Sequence, residues 1–155
     1  MKHLLLILTL FVVSQAHAGS PAVYEKSVKQ ALDVTYKKVS KGLDDNGFYI
    51  AFEVDIGENL AKNAAKFGAN YNKNQLQGIK SMVFCNGKFA NQVSNADPAM
   101  LALCPLHVTL MHKDGVTTIL FVRPSAVAQG SPAAKVALEL ETATIQAIEA
   151  GINAK

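Results

Sequence analysis

The dipeptide Asp114-Gly115 constrains this chain more than any other feature. It stands between Leu106-His-Val-Thr-Leu-Met-His112 and Val116-Thr-Thr-Ile-Leu-Phe-Val122. Asp-Gly between two runs rich in β-branched and apolar residues specifies a two-residue hairpin, because both turn positions require a positive φ. A loop of that length also sets the register: Lys113 faces Val116, Leu110 faces Ile119 and Val108 faces Phe121. These pairs form the predicted core face. The other face presents His107, Thr109 and Met111 against Val122, Leu120 and Thr118, and being half apolar it calls for partial cover.

The hairpin closes a stretch, Ile79 to Pro124, that holds both cysteines, His107 and His112, three of the five prolines and the only arginine, Arg123. Ile79 to Asn86 reads as a strand, and Asp97-Pro98 starts a helical segment that Pro105 ends. Upstream, Val23 to Lys29 reads as a strand. Leu32, Tyr36, Val39 and Leu43 share one helix face, with Asp33 in the first turn and Asp45-Asn46-Gly47 as the stop. Phe48 to Val54 returns as a strand with Phe48, Ile50, Phe52 and Val54 on one face. Leu60, Ala64 and Phe67 mark a second amphipathic helix ending at Gly68, followed by an asparagine-rich loop from Ala69 to Gly78. The last helix is predicted over 131–150 with Gly151 as its stop. Its apolar residues fall in two stripes: Val136, Leu140, Ala143 and Ala147 on one side, Leu138, Ile145, Ile148 and Ile152 on the other. One sheet face cannot cover so wide an arc, so the second stripe is expected to meet another subunit. The order is β-α-β-α-β-α-β-β-α.

With 155 residues, half of them apolar, the chain has room for one domain with a real core. Lys2, the apolar run Leu4 to Val13 and Ala16-His17-Ala18 form a signal peptide with a small-x-small cleavage site. Ten apolar residues are too few to span a bilayer, which takes about twenty. The expected product is therefore a soluble exported protein beginning at Gly19, located in the periplasm and with no membrane segment after cleavage. Removing residues 1–18 takes the formal charge from +3 to +2, with 14 bases against 12 acids. A near-neutral chain with one arginine is not a nucleic-acid binder.

Gly47-Phe48 with Asp55, Phe84-Cys85-Asn86-Gly87, Asp97-Pro98, Leu103-Cys104-Pro105-Leu106, Asp114-Gly115 and Arg123-Pro124, taken in order, resemble the bacterial domain-of-unknown-function family 302. The resemblance covers nearly all of Val23 to Pro124, and Asn86-Gly87 stands where the family commonly has Asn-Pro. It implies a compact α+β fold, an antiparallel sheet of about five strands with helices packed on it, and a homodimer. It puts Asn86, Pro98, Pro105, Asp114, Gly115 and Pro124 at motif positions. No catalytic residue comes with it.

Cys85 and Cys104 are an even pair in an oxidising compartment, so a structural disulfide is the first expectation, with a redox or ligand thiol pair and two buried thiols as alternatives. Cys85, Cys104 and His107 are the candidate ligands for copper or another soft metal. Geometry weakens that site: His107 and Met111 share a strand face but sit ~13 Å apart, and His107 and His112 point to opposite faces. No nucleophile–base pattern, phosphate loop or paired catalytic carboxylates assemble. The expectation is a non-catalytic periplasmic domain that binds a small ligand or a protein partner as a homodimer, without a cofactor. The second expectation is a redox or copper-type accessory protein.

Overall fold

A computed structural model describes residues 21–154; the leader at 1–18 lies outside the described residues. Five strands, β1 (Val23–Val28), β2 (Tyr49–Asp55), β3 (Gly78–Cys85), β4 (Leu106–Lys113) and β5 (Val116–Val122), form one sheet in the order β1-β5-β4-β3-β2. Every neighbouring pair is antiparallel. The hairpin takes the predicted register, with Lys113 opposite Val116, Leu110 opposite Ile119 and Val108 opposite Phe121. Asp114 and Gly115 have φ of 51° and 77°, the two positive values that the tight turn requires.

Two long helices, α1 (Leu32–Asp45) and α6 (Ala134–Asn153), cover one face of the sheet. Between them and the strands lies the core: Val39 and Leu43 from α1, Leu140, Ala147 and Ile148 from α6, and Met82, Phe84, Val108, Leu110, Ile119 and Phe121 from the sheet. Phe84 anchors it, edge-on to Phe48 at 5.6 Å and tilted against Phe121 at 6.4 Å. The shorter helices α2 (Ile56–Lys62), α3 (Ala64–Phe67), α4 (Gly87–Ala96) and α5 (Pro124–Val127), with 3₁₀ turns at Gly68–Asn70 and Pro98–Leu103, join these elements.

Three sequence expectations are corrected and one helix is added. A β-bulge between Ile50 and Phe52 adds one residue to β2, so Phe52 and Val54 pair with Val83 and Ser81 on the face away from the helices. Glu53 and Asp55 turn toward α1 instead. The helix expected around Leu60 and Phe67 is broken at Asn63 into α2 and α3, and neither piece buries a residue. The polar stretch Gly87–Ala96 is a helix: Asn86 Oδ1 accepts from the Lys88 and Phe89 amides and so starts it.

The last correction concerns α6. Gly151 does not stop it, and the two-stripe reading fails. Ile148 and Ala147, from opposite stripes, are both fully buried, and Ile145 and Ile152 pack partly on the core. The second stripe is covered by α1, which lies alongside, and only Leu138 remains well exposed. Backbone-to-backbone packing at Gly42 and Gly151 makes this possible. A Cβ on Gly42 would collide with the Ala147 carbonyl, and one on Gly151 with the Lys38 carbonyl.

At the start of α6 the exit from β5 is clamped. Arg123 Nη1 donates to Glu141 at 2.6 Å, while the Ser125 amide and hydroxyl both donate to the other Glu141 oxygen. Burial raises the Glu141 pKa, but the Ser125 and Arg123 hydrogen bonds outweigh it and hold the carboxyl below its ordinary value. Arg123 also lies over the ring of Tyr24, whose hydroxyl donates to Glu149.

Helix propensity favours alanine over glycine by about 1 kcal/mol inside a helix. Packing predicts the reverse at the crossing: Gly42→Ala and Gly151→Ala should each destabilise by about 1–3 kcal/mol in urea unfolding. Gly87→Ala on α4, where nothing lies within 4 Å of the added carbon, should be neutral or stabilising. Stabilisation at all three positions would show that the helices do not cross as described.

Candidate functional site

A cleft lies at the end of the sheet where β3 begins and β2 ends. It has a volume of ≈ 570 Å³, within the range of about 300–1,000 Å³ usual for small-molecule sites. One wall is the first turn of α1 with Leu32 and Asp33, and the floor is Gly78, Ile79 and Lys80 of β3. The other wall is α2 with Leu60 and Ala61 and the asparagine-rich loop with Tyr71, Asn72 and Leu76. Each wall has a local cause. Asp55 ends β2 and caps α2 by accepting from the Glu58 amide at 2.8 Å, which turns the chain sharply over β3. Gly57 then sits against the Ile79 backbone, where an added Cβ would lie 3.0 Å from the Ile79 nitrogen.

The loop is ordered by its own side chains. Asn72 accepts from the Leu76 amide and donates to the Leu76 carbonyl at 2.9 and 2.8 Å. The Gln77 amide donates to the His112 carbonyl, and Gln77 Oε1 accepts from the Asp114 amide, which ties the loop to the hairpin. Asn72 and Gln75 both have positive φ, 43° and 56°. For glutamine that backbone costs roughly 1–3 kcal/mol, and such strain is concentrated at binding sites.

The polar lining is acid-rich. Asp33, Asp55 and Glu58 line the cleft; Lys80 Nζ is 2.6 Å from Asp33, and Glu58 is paired with Lys62 at 2.8 Å. The hydrogen bond to Asp33, with the charges of Asp33, Asp55 and Glu53, raises Lys80 against its desolvation; the same bond lowers Asp33. Tyr36 lies beside them, with Lys80 Nζ 5.7 Å from its ring centre and its hydroxyl donating to the Ser81 carbonyl. Burial first, then Glu53 and Asp55, raise the Tyr36 phenol. From Lys80 a shallower groove of ≈ 890 Å³ runs on between α1 and β2 past Tyr36, Glu53 and Tyr49.

The sequence-predicted site residues lie elsewhere. Cys85 and Cys104 are joined in a disulfide with Cα atoms 6.2 Å apart, at the far end of β3 from the cleft. Seven residue steps along that strand separate the two ends by roughly 23 Å. His107 is exposed on the face away from the helices and pairs with Val83. His112 is on the helix side, where its Nδ1 lies 2.9 Å from the Thr117 hydroxyl. That hydroxyl donates to the Gln30 carbonyl at 2.7 Å, so in the contact with His112 it accepts from Nδ1. Among the described residues no group of three or more His, Cys, Asp or Glu is arranged to hold a metal ion.

The motif positions serve the backbone. Asn86 caps α4 and donates to the Gly47 carbonyl, tying β3 to the start of β2. Asp97 and Pro98 open a 3₁₀ turn, Pro105 follows Cys104 through a cis peptide, and Pro124 is the buried first residue of α5. Sequence reasoning passed over Asp33, Asp55, Tyr71, Asn72 and Lys80 as cleft residues. The available signal was the asparagine-rich loop itself, too polar for a packing element and too long for a simple turn.

The family description "Domain of unknown function DUF302" matches residues 24–151. The chain belongs to this family. In fold it is similar to the crystal structure of an uncharacterized conserved DUF302 protein from Bacillus stearothermophilus. The TM-score is 0.73 at 17% identity, over 84% of this chain and 98% of that one. A comparison with curated proteins finds no match.

The bridge closes a loop containing α4, worth about 3 kcal/mol by chain entropy. Cys85→Ala and Cys104→Ala should destabilise equally and the double variant by little more, since all remove one crosslink. The intact mass of the oxidised protein should be lower than that of the reduced chain by two hydrogens. Two alkylatable thiols in protein from an oxidising compartment would contradict the pairing.

Proposed function

We propose that this protein is an exported, non-catalytic binding module of the periplasm, and that its ligand is a small molecule held in the cleft at the end of the sheet. The observation that carries the reading is the cleft's construction. A strained, internally hydrogen-bonded loop and a capped helix hold Leu60, Tyr71 and Leu76 opposite Leu32 and Ile79, forming a ready apolar slot with polar groups at its rim. Three carboxylates, with Lys80 committed to Asp33 and Lys62 to Glu58, favour a neutral or cationic polar end on the ligand and disfavour an anion.

The titratable groups support binding over chemistry. Tyr36 and Lys80 are raised and Asp33 is lowered, so each is held more firmly in its neutral-pH state. A general acid or base needs the opposite displacement, toward the working pH. The redox or metal reading through Cys85, Cys104 and His107 is weaker, because bridged sulfurs cannot act as thiolate ligands.

Native mass spectrometry of the protein after incubation with a small-molecule extract should show a discrete adduct. Ala61→Trp, which places a large ring in the cleft from an exposed helix position, should remove the adduct and leave the fold intact. An adduct that persists in Ala61→Trp, or turnover of the bound compound, would overturn the proposal.

A further inference from the structure

One position beside the cleft already holds an organic ammonium ion, the protein's own. Lys80 lines the cleft, the groove that runs on from it, and a third hollow of ≈ 200 Å³ where its neighbours are Tyr36, Glu53, Val54 and Asp55. Its Nζ lies 2.6 Å from Asp33 and 5.7 Å from the centre of the Tyr36 ring, so a carboxylate and an aromatic face hold one ammonium between them. Carboxylates outnumber cations around it. Asp55 is the cross-strand neighbour of Lys80, and Glu53 stands on the same side of β2 opposite Met82. Among the described residues neither Glu53 nor Asp55 has an ion-pair partner. Lys37 and Lys41 stand along the groove, Lys41 paired with Asp45. Lys80 can therefore leave Asp33 without stranding its charge, because its flexible stem has Asp55 within the same strand pair.

We infer that the ligand of the cleft is an organic ammonium with an apolar body. The body fills the slot between Leu32, Leu60, Leu76 and Ile79, the ammonium takes the place of Lys80 Nζ between Asp33 and Tyr36, and Lys80 turns to Asp55. This rests on the cleft being a ligand site, and adds the charge of the ligand and the side chain it displaces. A metal ion is the wrong cation, since the described residues hold no group of three or more His, Cys, Asp or Glu arranged for one. An apolar slot ending at a carboxylate and an aromatic face suits an alkylammonium, whose two halves need those two surroundings. An anion would meet Asp33, Glu53 and Asp55 with Lys80 as the one cation shared by all three hollows.

Three probes of one shape test this on the unaltered protein by amide shift titration at pH 7 and low salt: 4-phenylbutylamine, 4-phenylbutan-1-ol and 4-phenylbutanoate. The amine should bind roughly 5–10-fold tighter than the alcohol, the acid more weakly than either, and the margin of amine over alcohol should shrink with added salt. Lys80→Met, which removes the competing ammonium, should tighten the amine, and Asp33→Asn should bring the amine-to-alcohol ratio down toward one. Both side chains are outside the core, and circular dichroism checks each fold. Alcohol or acid bound in the slot as tightly as the amine overturns the inference and leaves the cleft reading standing. A ratio unmoved by Asp33→Asn, or an amine weakened by Lys80→Met, overturns it in the same way. Absence of slot shifts with all three probes also overturns it, and the cleft reading falls with it only if the small-molecule extract leaves no adduct either.

Discussion

The close crossing of α1 and α6 at Gly42 and Gly151 is the constraint on which the rest of the structure depends. Because neither glycine carries a side chain, the helix backbones touch and the pair lies side by side on one face of the sheet. Two helices of 14 and 20 residues then cover the core of Phe84, Met82, Leu110 and Ile119. Wider spacing would leave Ile148 and Ile145 in water. The same crossing fixes where α1 begins, and so where Leu32 and Asp33 stand over the start of β3. The cleft is thus a consequence of helix packing as well as of its own loop.

Charge is used sparingly and mostly to hold parts in place. Arg123 and Ser125 clamp the buried Glu141, tying the end of the sheet to the start of α6. A buried ion pair of this kind gives little net stability, but losing one partner strands the other, typically at a cost of about 3–5 kcal/mol. Asp33 and Lys80 do a similar job at the mouth of the cleft, where Asp33 is exposed to water and the pair adds little to stability. The two ends of β3 are in this way specialised: one ends in a disulfide and a helix cap, the other opens into the cleft.

Much of the fold was legible in the residues. Asp114-Gly115 gave the hairpin register because turn geometry leaves one choice, and the spacing of Leu32, Tyr36, Val39 and Leu43 gave α1 because its stripe matches one buried face. The bulge at Ala51 was not legible: alternation from Phe48 to Val54 looks regular until β3 imposes its own register, and Phe52 then changes sides. Gly151 looked like a stop because glycine commonly ends helices, yet here it serves contact with α1, which depends on a residue more than a hundred positions away. The cleft was legible only as an asparagine-rich loop. Its other wall comes from Leu32 and Asp33, which read as ordinary first-turn residues until the sheet brings them beside Ile79. The cysteine pairing was legible and marks the structural end of β3, so the two cysteines that drew attention as chemistry hold the frame.

Placing the ligand at the open end of β3 is the central claim, and amide shift mapping by NMR tests it most directly. A small-molecule library with neutral and cationic members should move the amides of Leu32, Tyr71, Asn72, Leu76 and Lys80 together, and leave those of Cys85, Cys104 and His107 in place. Shifts gathered instead around the disulfide end, or scattered over the sheet with none in the asparagine-rich loop, would contradict the account.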